Sequence, residues 1–130
     1  MPESFPDKNL NEYSPTLLAY VGDAVYELYV RPYLVAEGNR RVCDVHRDAV
    51  NLVKAESQAR LLREIAPQLS EEEKAIVMRG RNTKTSHPPR HANVNDYRLS
   101  TGWEALVGYL YLKGEEERLK SWIRLALKDL

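Results

Sequence analysis

The 130-residue chain is long enough for one domain with a hydrophobic core and too short for two of ordinary size. Its 19 basic and 19 acidic residues cancel, so net charge gives no argument for a polyanionic partner, and 43% apolar with 29% charged residues is the composition of a soluble globular domain. No apolar run is long enough to span a membrane, the first residues lack the features of a secretion signal, and one cysteine, Cys43, allows no internal disulfide; a cytoplasmic protein with a buried structural thiol is expected.

Residues 1–13 read as an irregular arm. Ser14-Pro15 then starts a helix, with serine as cap and proline at the first helical position. Leu17, Leu18, Val21, Ala24, Val25, Leu28 and Tyr29 recur at helical spacing and place apolar residues on more than one face. The helix is predicted to end near Arg31-Pro32, because proline pushes its predecessor out of helical geometry. Glu37-Gly38-Asn39 reads as a turn, and Asp44 as the cap of the next helix. Apolar spacing from Val45 to Ile65 predicts one long helix or two abutting ones, stopping at Pro67. Ser70 followed by Glu73 is a capping box for a short helix to about Arg79.

Gly80 to about Asn95, with Pro88 and Pro89, reads as a loop longer than compact domains usually hold. Helical spacing resumes with Leu99, Trp103, Leu106 and Leu110 and stops at Lys113-Gly114. Glu115 to Glu117 open a last amphipathic helix carrying Leu119, Trp122, Ile123 and Leu127. No alternating strand pattern competes. The expectation is an all-α single domain over residues 1–130.

Two acids sit in apolar surroundings. Asp23 follows Gly22 inside the first helix, and Glu104 is the only charge between Leu99 and Leu112. Charges in such places are costly unless paired, protonated or bound to a cation. If their helices pack together, the two form an oxygen-ligand site suited to Mg²⁺, able to polarise a phosphate and activate water. The plainer alternative is that each faces solvent, with Glu104 near a helix start where a negative charge is favoured. Glu27, one turn after Asp23, is either a further ligand or a surface acid paired with Arg31.

Positive charge is concentrated between Arg79 and Arg98, where Asp96 is the only acid. Arg79, Arg81, Asn82, Lys84 and Arg90 are candidate phosphate ligands, the arginines through their forked donors; the alternative is a solvated loop with no partner. His87 and His91 have a spacing found in zinc sites, but two prolines lie between them and no cysteine or carboxylate pair accompanies them. No nucleophile elbow, Walker loop or dinucleotide-binding glycine motif is present.

Leu18-Ala-Tyr-Val-Gly-Asp-Ala-Val-Tyr-Glu-Leu28 resembles the signature helix of the ribonuclease III catalytic domain, and Thr101-Gly-Trp-Glu-Ala-Leu-Val-Gly-Tyr-Leu-Tyr-Leu112 resembles that family's second acidic motif. Arg79-Gly-Arg-Asn82 and Tyr97-Arg-Leu-Ser-Thr101 resemble its mini-ribonuclease III group, which consists of the catalytic domain alone. The resemblance runs from about Ser14 to Leu127. It implies an all-helical homodimer that uses Mg²⁺ to cut both strands of double-stranded RNA, leaving 5′-phosphate and 3′-hydroxyl ends. It also implies maturation of 23S ribosomal RNA precursor, with a large-subunit ribosomal protein assisting.

By position, Asp23 matches the family's catalytic aspartate and Glu104 its catalytic glutamate. The larger enzymes carry two further acids where this chain has Ala19 and Thr101, so a leaner metal site is expected. No double-stranded-RNA-binding domain is expected, which leaves duplex affinity to the basic segment. The rival expectation, supported by Ala19 and Thr101, is a non-catalytic duplex-RNA-binding or ribosome-assembly module.

Overall fold

A computed structural model describes residues 9–83 and 93–128. Six helices account for nearly all of them: α1 (Pro15–Val35), α2 (Val42–Val53), α3 (Ala55–Ile65), α4 (Glu71–Arg81), α5 (Val94–Lys113) and α6 (Glu116–Lys128). No strand occurs among the described residues, in keeping with the all-α expectation.

Helix α5 is the axis of the fold. Gly102, Trp103 and every residue from Ala105 to Leu110 are buried, because α1, α3 and α4 pack around it. From α1 it receives Leu18, Val25, Tyr26 and Val30, and from α3 Leu62 and Ile65 join the same core. Tyr26 meets Trp103 edge to face, with ring centroids 5.5 Å apart. Helix α6 adds Leu119, Trp122 and Ile123.

Two helix pairs approach backbone to backbone, and glycine makes each possible. A Cβ on Gly22 of α1 would lie 1.7 Å from the carbonyl oxygen of Glu104, and one on Gly108 of α5 would lie 1.9 Å from that of Leu18. At the second crossing, a Cβ on Gly80 of α4 would lie 2.9 Å from the Cα of Gly102. Both crossings run antiparallel: 18 and 22 of α1 face 108 and 104 of α5, and along α4 Glu72 meets Tyr109 while Gly80 meets Gly102.

Ser14 caps α1 and accepts from the Thr16 N–H at 3.2 Å, as the sequence predicts. The helix does not stop at Pro32. It runs on to Val35, which carries Leu34 into the core. The hydrogen bond that Pro32 cannot make would have gone to the carbonyl of Leu28, a residue 64% exposed, where water can satisfy it.

Helix α2 begins at Val42, so Asp44 is not its cap. Asp44 sits in the first turn, where the helix dipole favours it, and pairs with Arg41 and Arg47. Cys43 is exposed rather than buried. It shares the outer side of α2 with Arg47 and Val50, while Val45 and Ala49 face inward. The stretch to Ile65 is two abutting helices, broken at Lys54, whose ψ of 153 is extended.

The Ser70 capping box is present in both directions: Ser70 N–H donates to Glu73 at 2.8 Å, and Glu73 N–H donates to Ser70 Oγ at 3.1 Å. Glu73 is itself buried and receives hydrogen bonds from Arg118 and from Trp122 Nε1, tying α4 to α6. The two flanking helices reach further into the Gly80–Asn95 stretch than expected. Gly80 and Arg81 stay helical because Gly80 is pressed against Gly102, so Gly80 frees no backbone amides for a ligand. Asn93 caps α5 well before Leu99, accepting from the N–H groups of Asn95 and Asp96. Lys84, His87, Arg90 and His91 lie outside the described residues.

Candidate active site

The crossing of α1 and α5 builds the site. Gly22 and Gly108 remove the side chains that would hold the two helices apart, and each has an acid nearby in sequence: Asp23 next to Gly22, Glu104 one turn before Gly108. The carboxyls therefore meet, and Glu104 hydrogen-bonds Asp23. Asp23 is exposed and Glu104 partly buried. Burial, then the hydrogen bond to Asp23 and its negative charge, push the Glu104 carboxyl up to about 8. Glu104 therefore keeps its proton through neutral pH.

Glu104 lies in mid-helix, since α5 starts at Val94, so a dipole at the helix start does not account for it. Glu27 pairs with Arg31 at 2.6 Å, which is the surface-pair alternative of the two considered. No group of three or more Asp, Glu, His or Cys side chains able to hold a metal occurs among the described residues. The candidate site is thus a two-carboxylate site, leaner by the acids missing at Ala19 and Thr101. Thr101 turns its hydroxyl back to the Tyr97 carbonyl at 3.1 Å.

The basic residues divide. Arg79 donates to the carbonyls of Asn11 at 2.6 Å and Tyr13 at 2.8 Å, so both its terminal nitrogens hold the segment leading into α1. Leu10, buried at 4% exposure, anchors that segment further. Arg81 and Asn82 are exposed at the end of α4, with Arg81 Nε on Asn82 Oδ1 at 3.4 Å. The sequence offered no signal for the Arg79 clamp, because its partners are backbone carbonyls more than sixty positions away.

The outer side of α1 is apolar. Leu17, Tyr20, Leu28 and Val35 are 58%, 79%, 64% and 60% exposed. With Ala24 they follow helical spacing along one stripe, opposite Leu18, Gly22 and Val25, which face the core.

Comparison with known proteins agrees with this geometry. The ribonuclease III domain model matches residues 16–115. A Mini-ribonuclease 3 of Clostridium tetani is 41% identical over 127 residues, covering 96% of this chain and 83% of the relative. One from Thermoanaerobacter sp. is 50% identical over 115 residues, covering 88% and 81%. A crystal structure of a Fusobacterium nucleatum protein superposes with a TM-score of 0.85 at 32% identity, covering 95% of this chain and 98% of that one. The helical fold, the acid pair at its glycine crossing and these relatives together place the chain in the ribonuclease III family of endoribonucleases, within its mini-ribonuclease group.

Proposed function

We propose that the protein is a Mg²⁺-dependent endoribonuclease that cuts double-stranded RNA and leaves 5′-phosphate and 3′-hydroxyl ends. The observation that carries this reading is the Asp23–Glu104 pair at the Gly22–Gly108 crossing. Two hard oxygen ligands on rigid helices fit Mg²⁺, a cation that proteins commonly hold with one or two carboxylates together with substrate phosphate, and Asp23 and Glu104 would be those carboxylates here. The chemistry a bound cation would supply there is polarisation of the phosphodiester and activation of water for hydrolysis.

The chain's own residues do the rest. Asp23 presents its carboxylate to solvent, where a phosphate can approach. Glu104 would lose its proton to solvent when a cation is held there, and its partly buried setting would strengthen the attraction between its carboxylate and that cation. Arg81 and Asn82, with Lys84 and Arg90 of the following segment, grip phosphates of the duplex. Arg79 instead holds the segment leading into α1.

A second copy of the chain covers the α1 stripe, giving two active sites for two strands. An exposed apolar stripe of this length on a globular domain is typical of an interaction face. The physiological substrate proposed is 23S ribosomal RNA precursor in the cytoplasm, shaped by a large-subunit ribosomal protein, as the mini-ribonuclease III resemblance implies.

The test is incubation of the purified protein with a duplex RNA and with its separated strands. Expected are Mg²⁺-dependent cuts in the duplex, abolished by chelation, and little cutting of single strands. Equal cutting of both substrates, or cutting that survives chelation, contradicts the reading.

A further inference from the structure

We infer that the diverging ends of α4 and α5 form a binding recess for one backbone phosphate of the substrate, built by Arg81, Asn82, Asn95 and Arg98. The inference rests on the duplex-RNA reading above and deepens it by adding Asn95 and Arg98. α4 and α5 approach backbone to backbone at the Gly80–Gly102 crossing. Beyond it α4 ends at Arg81 and α5 begins at Val94, and the two ends enclose a recess of about 410 Å³. Among the described residues its lining is Arg81, Asn82, Asn95, Arg98 and Leu99. Positions 95, 98 and 102 share one side of α5, so the face that meets α4 at Gly102 is the face that carries Asn95 and Arg98.

Charge points to an anion. Among the described residues no carboxylate lines the recess, and neither Arg81 nor Arg98 forms an ion pair. Asp96, the acid in the first turn of α5, is turned onto Arg63 at 2.7 Å. Arg81, Asn82, Asn95 and Arg98 are all exposed, and among the described residues no acid neutralises the two guanidinium groups, Arg81 Nε touching only the neutral Asn82. Forked donors with short amide donors beside them are the chemistry that holds a phosphodiester. Removing the repulsion between the two arginines adds to the gain when an anion enters.

Placement sets the role. Arg98 precedes Glu104 by six residues, about 9 Å along the helix axis. The phosphate held there is not the one being cut. The recess therefore fixes the register of the strand relative to the cleaved bond.

Steady-state cleavage of a duplex RNA with Mg²⁺ tests this, comparing the native protein with Arg98→Gln, Arg98→Lys and the control Arg60→Gln on the exposed side of α3. Arg98→Gln should raise KM about 5–10-fold with kcat nearly unchanged, and lower the slope of log affinity against log salt by about 0.9. Arg98→Lys should recover part of the loss, and Arg60→Gln should behave as the native protein. A neutral methylphosphonate moved along one strand should find a position whose penalty disappears in Arg98→Gln. Native KM and salt slope in Arg98→Gln, or a penalty that persists there, overturns the recess while the duplex-RNA reading stands. Failure of the native protein to cut duplex RNA removes that reading and the recess with it.

Discussion

Replacing Gly22 by alanine is the sharpest perturbation of the site that leaves every charged group in place. Helix propensity alone predicts a gain of about 1 kcal/mol, since glycine inside a helix is unfavourable. The crossing predicts the opposite. The new Cβ would lie 1.7 Å from the Glu104 carbonyl oxygen and 2.9 Å from the Gly108 nitrogen, all backbone atoms that cannot rotate aside. An ordinary carbon–oxygen contact is about 3.3 Å, so α1 and α5 must separate locally by about 1.5 Å. Overpacking of this kind costs about 1–3 kcal/mol, and rigid backbone on both sides puts this case at the top of the range. The net change should be about 2 kcal/mol of destabilisation, a sizeable part of a total near 5–15 kcal/mol. The same displacement moves Asp23 away from Glu104, and a misplacement of about 1 Å in a catalytic array costs about 100-fold in rate. Urea denaturation would read the first effect, and duplex cleavage under conditions where the variant is folded would read the second. A Gly22→Ala protein as stable and as active as the native one refutes the crossing as the source of the site's geometry.

The proton on Glu104 makes metal affinity depend on pH. Because burial and Asp23 raise the Glu104 carboxyl to about 8, the apparent affinity for Mg²⁺ should strengthen from pH 6.5 to 8.5, seen as a falling half-saturating Mg²⁺ concentration. The same shift makes the metal-free fold lose stability as pH rises from about 4.5 to 8, since the folded state binds the extra proton; denaturation at several pH values in chelator checks the sign. Glu73 works in the other direction. Burial opposes its charge, but Arg118, the Ser70 N–H and Trp122 outweigh that and hold it down to about 2, so its stabilisation is present above pH 4.5 and is lost as pH falls toward 2. Glu73→Ala should cost about 2–3 kcal/mol in urea denaturation, less than a fully buried pair because Arg118 can rehydrate. Leu28→Glu on the α1 stripe should give a folded monomer by analytical ultracentrifugation with weakened duplex cleavage; an unchanged oligomeric state would place the dimer face elsewhere.

Helix existence was legible because period and caps agreed, as at Ser14-Pro15 and the Ser70–Glu73 box. Boundaries were less so. Pro32 and Gly80 are breakers by local rule, yet Leu34 reaching the core and Gly80 packing on Gly102 extend both helices, and such tertiary contacts leave no local trace. Cys43 was misplaced because composition alone does not say which side of α2 turns inward. Asp23 and Glu104 were legible as oddities and as motif positions, but their meeting depends on Gly22 and Gly108, one on each helix. Arg79 shows the limit most clearly: its sequence context is that of a phosphate ligand, while its partners are the carbonyls of Asn11 and Tyr13.

The most direct measurement is the single-turnover cleavage rate of a duplex RNA with saturating Mg²⁺ by the native protein, Asp23→Asn and Glu104→Gln, each verified as folded. A shared two-carboxylate site predicts that each substitution lowers the rate by at least about 100-fold, and that the double variant is hardly worse than either single one. Cleavage at the native rate in Asp23→Asn contradicts the account, whatever the other variant does.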